Sequence, residues 1–277
     1  IKLDSKINKV AIIPEVSDNI FIFKDVQYNV NYGIITLLEN TNHHYNRSIQ
    51  SICYNNTLNE FNTIDLNNLV EVIIDLEFSF DIKKNFINQT SLITFKSYGL
   101  DTSKMTDMKN MFNSCRELVD LDIYSFDTSN VINMQGMFGH CYKLVEFDLS
   151  RLDTSKVENM GIMFIWCTAL EHVKFDKNNT RSVSVMNSMF NGCTSLKSID
   201  VSNIDTSKLM SIIEMFAGCN ELEYVNASNW DTRNITTTKN LFYNCSSLKA
   251  VNLSNWDVSN ISNMNGMFRG CDKLESI

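Results

Sequence analysis

Apolar residues along this chain recur in two alternating spacings. Val131, Met134, Met137, Phe138 and Cys141 follow one another by three, three, one and three residues, the spacing that puts side chains on one face of a helix. Leu144, Phe147 and Leu149 then follow as L-x-x-L-x-L, whose last two members alternate as in a strand. The same pair of patterns returns 26 residues later with Val157, Met160, Met163, Phe164 and Cys167, and again with Val183, Met186, Met189, Phe190 and Cys193. One unit therefore reads as short helix, turn, short strand, turn. Asp127, Thr128 and Ser129 stand where helix-capping side chains belong.

Cys115, Cys141, Cys167, Cys193, Cys219, Cys245 and Cys271 mark the register, 26 residues apart throughout. A fixed period of this length specifies stacked units whose core is shared between neighbours, because one unit is too small to bury its own apolar face. The expected fold class is an α/β repeat solenoid, a leucine-rich-repeat-like right-handed coil with a parallel sheet on one side and short helices on the other. The domain reading is an N-terminal cap over residues 1–74, β-rich by its β-branched and aromatic content, a degenerate first repeat over 75–100, and seven repeats over 101–277, the last incomplete. In the degenerate unit Ile82, Phe86, Leu92 and Phe95 take the places of Met108, Phe112, Leu118 and Leu121.

The strings DTSNVINMQGMFGHCYKLVEFDLS and SNWDVSNISNMNGMFRGCDKLESI resemble the repeat of BspA-like leucine-rich surface proteins, in the variant found in mycoplasma surface lipoproteins. The likeness spans about residues 101–277. It implies a non-enzymatic, surface-displayed module for adhesion or protein binding, located at the cell surface or outside the cell. The fourth unit departs from the pattern with Asn178 and Asn179, and the sixth carries Thr238 and Leu241 where others carry methionine.

Composition narrows the function classes. A net charge of −8 and no cluster of Lys and Arg argue against nucleic acid, whose phosphates demand concentrated positive charge. No apolar run approaches the roughly 18 residues that cross a bilayer. The cysteines occupy a position that wants a small buried apolar side chain, so free thiols are expected, with disulfides between neighbouring coils or zinc as the alternatives. Cys53, off the ladder, is read the same way. His43, His44, His140 and His172 show no metal-ligand spacing, and no nucleophile elbow or phosphate-cradling loop occurs. The expectation is no catalysis, no cofactor and no metal.

Strand alternation leaves an outward sheet face as the candidate binding surface. The residues singled out on it are Asp120, Asp122, Tyr124, Glu146, Asp148, His172, Lys174, Asp200 and Tyr224. Acidic side chains crowd the N-terminal half of this face, which suits a protein or glycan ligand carrying a basic patch. A second reading makes the solenoid a component of a shell, fibre or surface layer, self-associating through its ends or its helical side.

Overall fold

The computed structural model describes residues 86–97, 102–175, 180–202 and 204–277 with their side chains, and the backbone alone of five strands between 20 and 75 and of Tyr98. Ile82, the His43–His44 pair and Asn178–Asn179 lie outside the described residues, as does the side chain of Cys53.

Twelve short strands follow one another among these residues: β1 Ile20–Phe23, β2 Val26–Asn29, β3 Ile34–Asn40, β4 Arg47–Cys53, β5 Leu69–Asp75, β6 Thr94–Tyr98, β7 Asp120–Asp122, β8 Glu146–Asp148, β9 His172–Lys174, β10 Ser198–Ile199, β11 Tyr224–Asn226 and β12 Ala250–Asn252. From β7 onward each strand begins 26 residues after the last, and where neighbours pair the pairing is parallel, with Glu146 opposite His172 and Tyr224 opposite Ala250. At the N-terminal side β3 pairs antiparallel with β4 and β5, and β5 pairs parallel with β6. The 26-residue frame runs back through Phe86, which stacks on Phe112. It shifts before that, for Val72 rather than Leu69 faces Phe95.

The helices expected on the other side are absent: among the described residues the only helical element is a single 3-10 turn, Leu149–Arg151. The Met-Phe-Cys segment is instead a chain of tight turns. Met137, Gly139, Cys141 and Leu144 each donate to the carbonyl three residues back. The intervening amides of Met134, Gly136, Phe138 and His140 reach forward to Asn159, Gly161, Met163 and Ile165 of the next coil, at 2.7–3.0 Å. Half of the amides therefore build a ladder along the solenoid, and an α-helix, which bonds every amide to the residue four back, cannot form. Two residues per coil with left-handed backbone impose this. One column runs Asn110, Gly136, Ile162, Ser188, Glu214, Asn240, Gly266; the other runs Asn88, Ser114, His140, Trp166, Gly192, Gly218, Asn244, Gly270. Side-chain spacings of three and four suit consecutive turns as well as a helix, so apolar periodicity alone does not separate the two.

Between the turn ladder and the sheet lies a continuous core. Phe86, Phe112, Phe138, Phe164, Phe190, Phe216, Phe242 and Phe268 stack face to face with centroids 5.4–5.8 Å apart. All seven ladder cysteines are free, and all but Cys271 are buried. Each thiol donates to the phenylalanine carbonyl of the preceding coil, as Cys167 does to Phe138 at 3.0 Å. Burial pushes the Cys115 and Cys167 thiols up to about 12, and raises Cys141, Cys193 and Cys219 well above their ordinary value.

The residues expected to cap helices connect coils instead. Asp127 accepts from the Ser129 amide at 3.0 Å, closing a local turn. The buried hydroxyl of Thr128 donates to the Asp153 carbonyl one coil on, at 2.9 Å. Thr206 donates to the Asp231 carbonyl and accepts from its amide at 2.7 Å. In the sixth unit Thr238 is fully buried, and its hydroxyl finds the sulfur of Met267 at 3.6 Å.

Candidate binding groove on the sheet face

Small polar groups close the strand corner in several coils. Ser202 and Ser228 bond back to Asp200 and Asn226 two residues earlier, through both amide and hydroxyl. In the sequence this position reads Tyr98, Tyr124, Ser150, Asp176, Ser202, Ser228 and Ser254, so only the two N-terminal coils carry an aromatic there. The strand position facing the core is also enlarged next door: Phe147 stands where neighbouring coils carry Leu121, Val173, Ile199, Val225 and Val251. The two rings stand on adjacent coils with centroids 6.0 Å apart.

The sheet breaks at the same place. β7 ends one sheet and β8 opens the next, and the hydroxyl of Tyr124 accepts from the Asp148 amide at 3.4 Å. β9 and β10 are likewise in separate sheets, but the break at β7 and β8 opens into a groove of about 510 Å³. Leu121, Leu144, Phe147 and Val173 contribute apolar lining, and Asp120, Glu146, Asp148, Arg151, His172 and Lys174 the charged and polar groups.

Arg151 comes from the 3-10 turn that follows β8, and its guanidinium carbon lies 3.7 Å from the centroid of the Tyr124 ring. That cation–π contact fixes the planar fork beside the groove. Burial raises the Tyr124 phenol despite the nearby Arg151 charge, so the ring stays neutral. Burial also acts to raise the Asp148 carboxyl, but two hydrogen bonds from Ser150 and the charge of Lys174 outweigh it and hold it below its ordinary value. Lys174 approaches Asp148 at 3.6 Å and Lys96 approaches Asp120 at 2.5 Å. The acidic half of the face is therefore partly neutralised in place, which the column pattern by itself does not reveal.

Of the residues picked from the sequence, Asp120, Tyr124, Glu146, Asp148, His172 and Lys174 line this one groove. Asp122, Asp200 and Tyr224 are not part of its lining; Tyr224 is 47 % exposed further along the face. Arg151 and the apolar floor are additions from the structure. The signal for them in the columns was faint: Phe147 is, with Phe95, one of two aromatics in an otherwise aliphatic column, and Arg151 shares with Lys177 a column that otherwise reads Ser125, Asn203, Asn229 and Asn255. Among the described residues no group of three or more His, Cys, Asp or Glu side chains converges as metal ligands would.

A family model described as "Mycoplasma protein of unknown function, DUF285" matches residues 75–198 and 167–277. No curated protein matches the chain. Among solved structures, the crystal structure of a TLR13–ssRNA13 complex aligns with 73 % of this chain at 17 % identity and a TM-score of 0.28. The chain spans 35 % of the length of that protein.

Proposed function

This chain belongs to the mycoplasma family DUF285, and from that premise we propose that it is a non-enzymatic binding module of the BspA-like, leucine-rich type, displayed at the cell surface. Its ligand is a protein or glycan engaged through the sheet face. The observation that carries the reading is the groove between β7 and β8, where an otherwise repetitive surface becomes singular. A concave site with an apolar floor and a few placed polar groups is the general form of a ligand site. Arg151, stacked on Tyr124, is held ready for a carboxylate or a backbone carbonyl, while Glu146 offers the opposite charge on the same rim. The mixed rim suits a ligand bearing both charges, and the remaining carboxylates favour one with a basic patch.

The test compares the wild-type chain with Arg151→Glu and Glu146→Lys, each checked for an unchanged melting temperature. The probes are immobilised host-cell surface proteins and an oligosaccharide array. Loss of retention in both variants supports the groove; retention equal to wild type in both removes it. Sedimentation of the same samples addresses assembly. Concentration-dependent polymers, unaffected by either substitution, would favour a shell or fibre component instead.

A further inference from the structure

The break between β7 and β8 leaves main-chain groups without the partners that their equivalents have. Ile93 accepts from the amides of both Val119 and Asp120, at 2.9 and 3.1 Å, and Glu223 from both Lys249 and Ala250, at 2.8 and 3.5 Å. Among the described residues no such bond joins Val119 to Val145 or Glu146. A carbonyl and two successive amides therefore stand at the edge of the groove apart from one another, as on the edge of an open sheet. The gap between β9 and β10 lacks the bond as well, but Glu171 and Lys197 flank it.

The side chains beside the first gap are of another kind. The residue that precedes each strand reads Ile93, Val119, Val145, Glu171, Lys197, Glu223, Lys249 and Glu275 along the array. From Glu171 onward the charge alternates in sign, and Glu223 and Lys249 pair at 2.7 Å. The three aliphatic members are 41, 55 and 43 % exposed, on adjacent coils about 5 Å apart. Val119 also lines the groove, so this file continues the apolar floor of Leu121, Leu144, Phe147 and Val173 out onto the surface. Two charges on the rim are uncommitted. Asp120 and Asp148 pair with Lys96 and Lys174, whereas Arg151 and Glu146 enter no ion pair among the described residues.

We propose that the occupant of the groove is an extended peptide segment, aliphatic in its middle, with a basic side chain toward Glu146 and an acidic one toward Arg151. The inference rests on the groove being a ligand site. An extended peptide repeats carbonyls and amides along its length. One of its carbonyls supplies the single oxygen that the Val145 and Glu146 amides would otherwise share, and one of its amides serves the Val119 carbonyl. Its aliphatic side chains cover Ile93, Val119 and Val145. A saccharide fits less well: its hydroxyls would lose water against three aliphatic side chains, and Arg151 already covers one face of the Tyr124 ring.

The experiment passes a positional-scanning library of hexapeptides, acetylated and amidated at their ends, over the immobilised full chain. Pools with Val or Ile at the central positions, a base on one side and an acid on the other, should be retained. The best peptide is then resynthesised with its central amides N-methylated, and titrated against wild type and the double variant Val119→Glu, Val145→Lys, which installs the charged pair found at Glu171 and Lys197. Each change should cost about tenfold in affinity, with the melting temperature of the variant unchanged because both side chains are exposed. Hydrogen exchange at Val145 and Glu146 should slow when the peptide binds. The proposal is overturned if no pool is retained at concentrations on the order of 1 mM, or if either the N-methylated peptide or the double variant binds as its parent does. Should the library fail while Arg151→Glu and Glu146→Lys still abolish retention of surface proteins or oligosaccharides, the groove stands as a ligand site and the peptide is the wrong ligand. If those variants retain everything as well, both readings fall.

Discussion

The Cys141 thiol donates to the carbonyl of Phe112 in the preceding coil at 3.1 Å, and the same bond recurs at every ladder cysteine from Cys115 to Cys271. The thiol is thus the smallest group that both fits beside the phenylalanine stack and satisfies a carbonyl left over by the turns. It does so only while protonated. Desolvation holds the folded-state thiols up to about 12 at Cys115 and Cys167, against an ordinary value of 9.0. In the unfolded chain these groups ionise from about pH 9. The folded chain then binds more protons, and stability must fall as pH rises from there toward the folded values. Urea denaturation under reducing conditions, from about pH 8 to about pH 11, should show this loss. Replacing Cys167 and Cys193 by Ala should make the slope shallower while lowering stability at neutral pH by about 1 kcal/mol per site. An identical slope would show that the thiols do not carry the effect.

Thr206 makes the corresponding connection at the other corner of the coil, where its buried hydroxyl serves the amide and carbonyl of Asp231 together. Thr206→Val keeps the shape and removes both bonds, leaving the half-buried amide and carbonyl of Asp231 without this partner. We expect a loss of about 1–3 kcal/mol in chemical denaturation, with Thr206→Ser recovering most of it. Equal stability of the valine and serine variants would mean that packing of the methyl group, and not the hydroxyl, matters here.

These two ladders also show what could be read from the chain alone. The period, the parallel strands and the inward column of Phe147, Val173 and Ile199 follow from spacing, because a 26-residue repeat can bury its apolar positions only by stacking. The helix did not follow. Val131, Met134, Met137, Phe138 and Cys141 fit a helical face and a chain of turns equally well. The discriminating signal was Gly136, Asn110 and Asn240 at one repeat position and Gly192 and Asn244 at another, residues that tolerate left-handed backbone. The groove was half legible: the acidic column was visible, but the break depends on Tyr124 and Phe147 meeting across neighbouring coils. Lys96 and Lys174 temper the charge through contacts that no linear pattern records.

Gly136 tests whether left-handed backbone, rather than helix, holds the turn side together. Its φ is +63°, and a Cβ there would collide with Oδ1 of Asn110. Gly136→Ala would favour a true helix, where alanine is the better residue. In this fold it should cost at least about 1–2 kcal/mol. A melting temperature at or above wild type would contradict the turn ladder.

Tyr124 governs the sheet break, and its replacement by the serine of the regular coils should close it. In several pairs of adjacent strands one carbonyl accepts from two successive amides of the next strand, as Ile93 does from Val119 and Asp120, and Val145 from Glu171 and His172. Between β7 and β8 the equivalent acceptor is Val119 and the equivalent donors are Val145 and Glu146. Tyr124→Ser removes the ring that stands between the strands and restores a hydroxyl able to bond Asp122, as Ser202 bonds Asp200. Hydrogen exchange at Val145 and Glu146 should then slow by about tenfold, the equivalent of roughly 1.4 kcal/mol. Arg151 loses its stacking partner in the same variant, so a ligand held in the groove should dissociate even though the sheet becomes more regular. Should exchange at these amides stay unchanged, Phe147 alone would be keeping the strands apart, and adding Phe147→Val to Tyr124→Ser would then restore the protection.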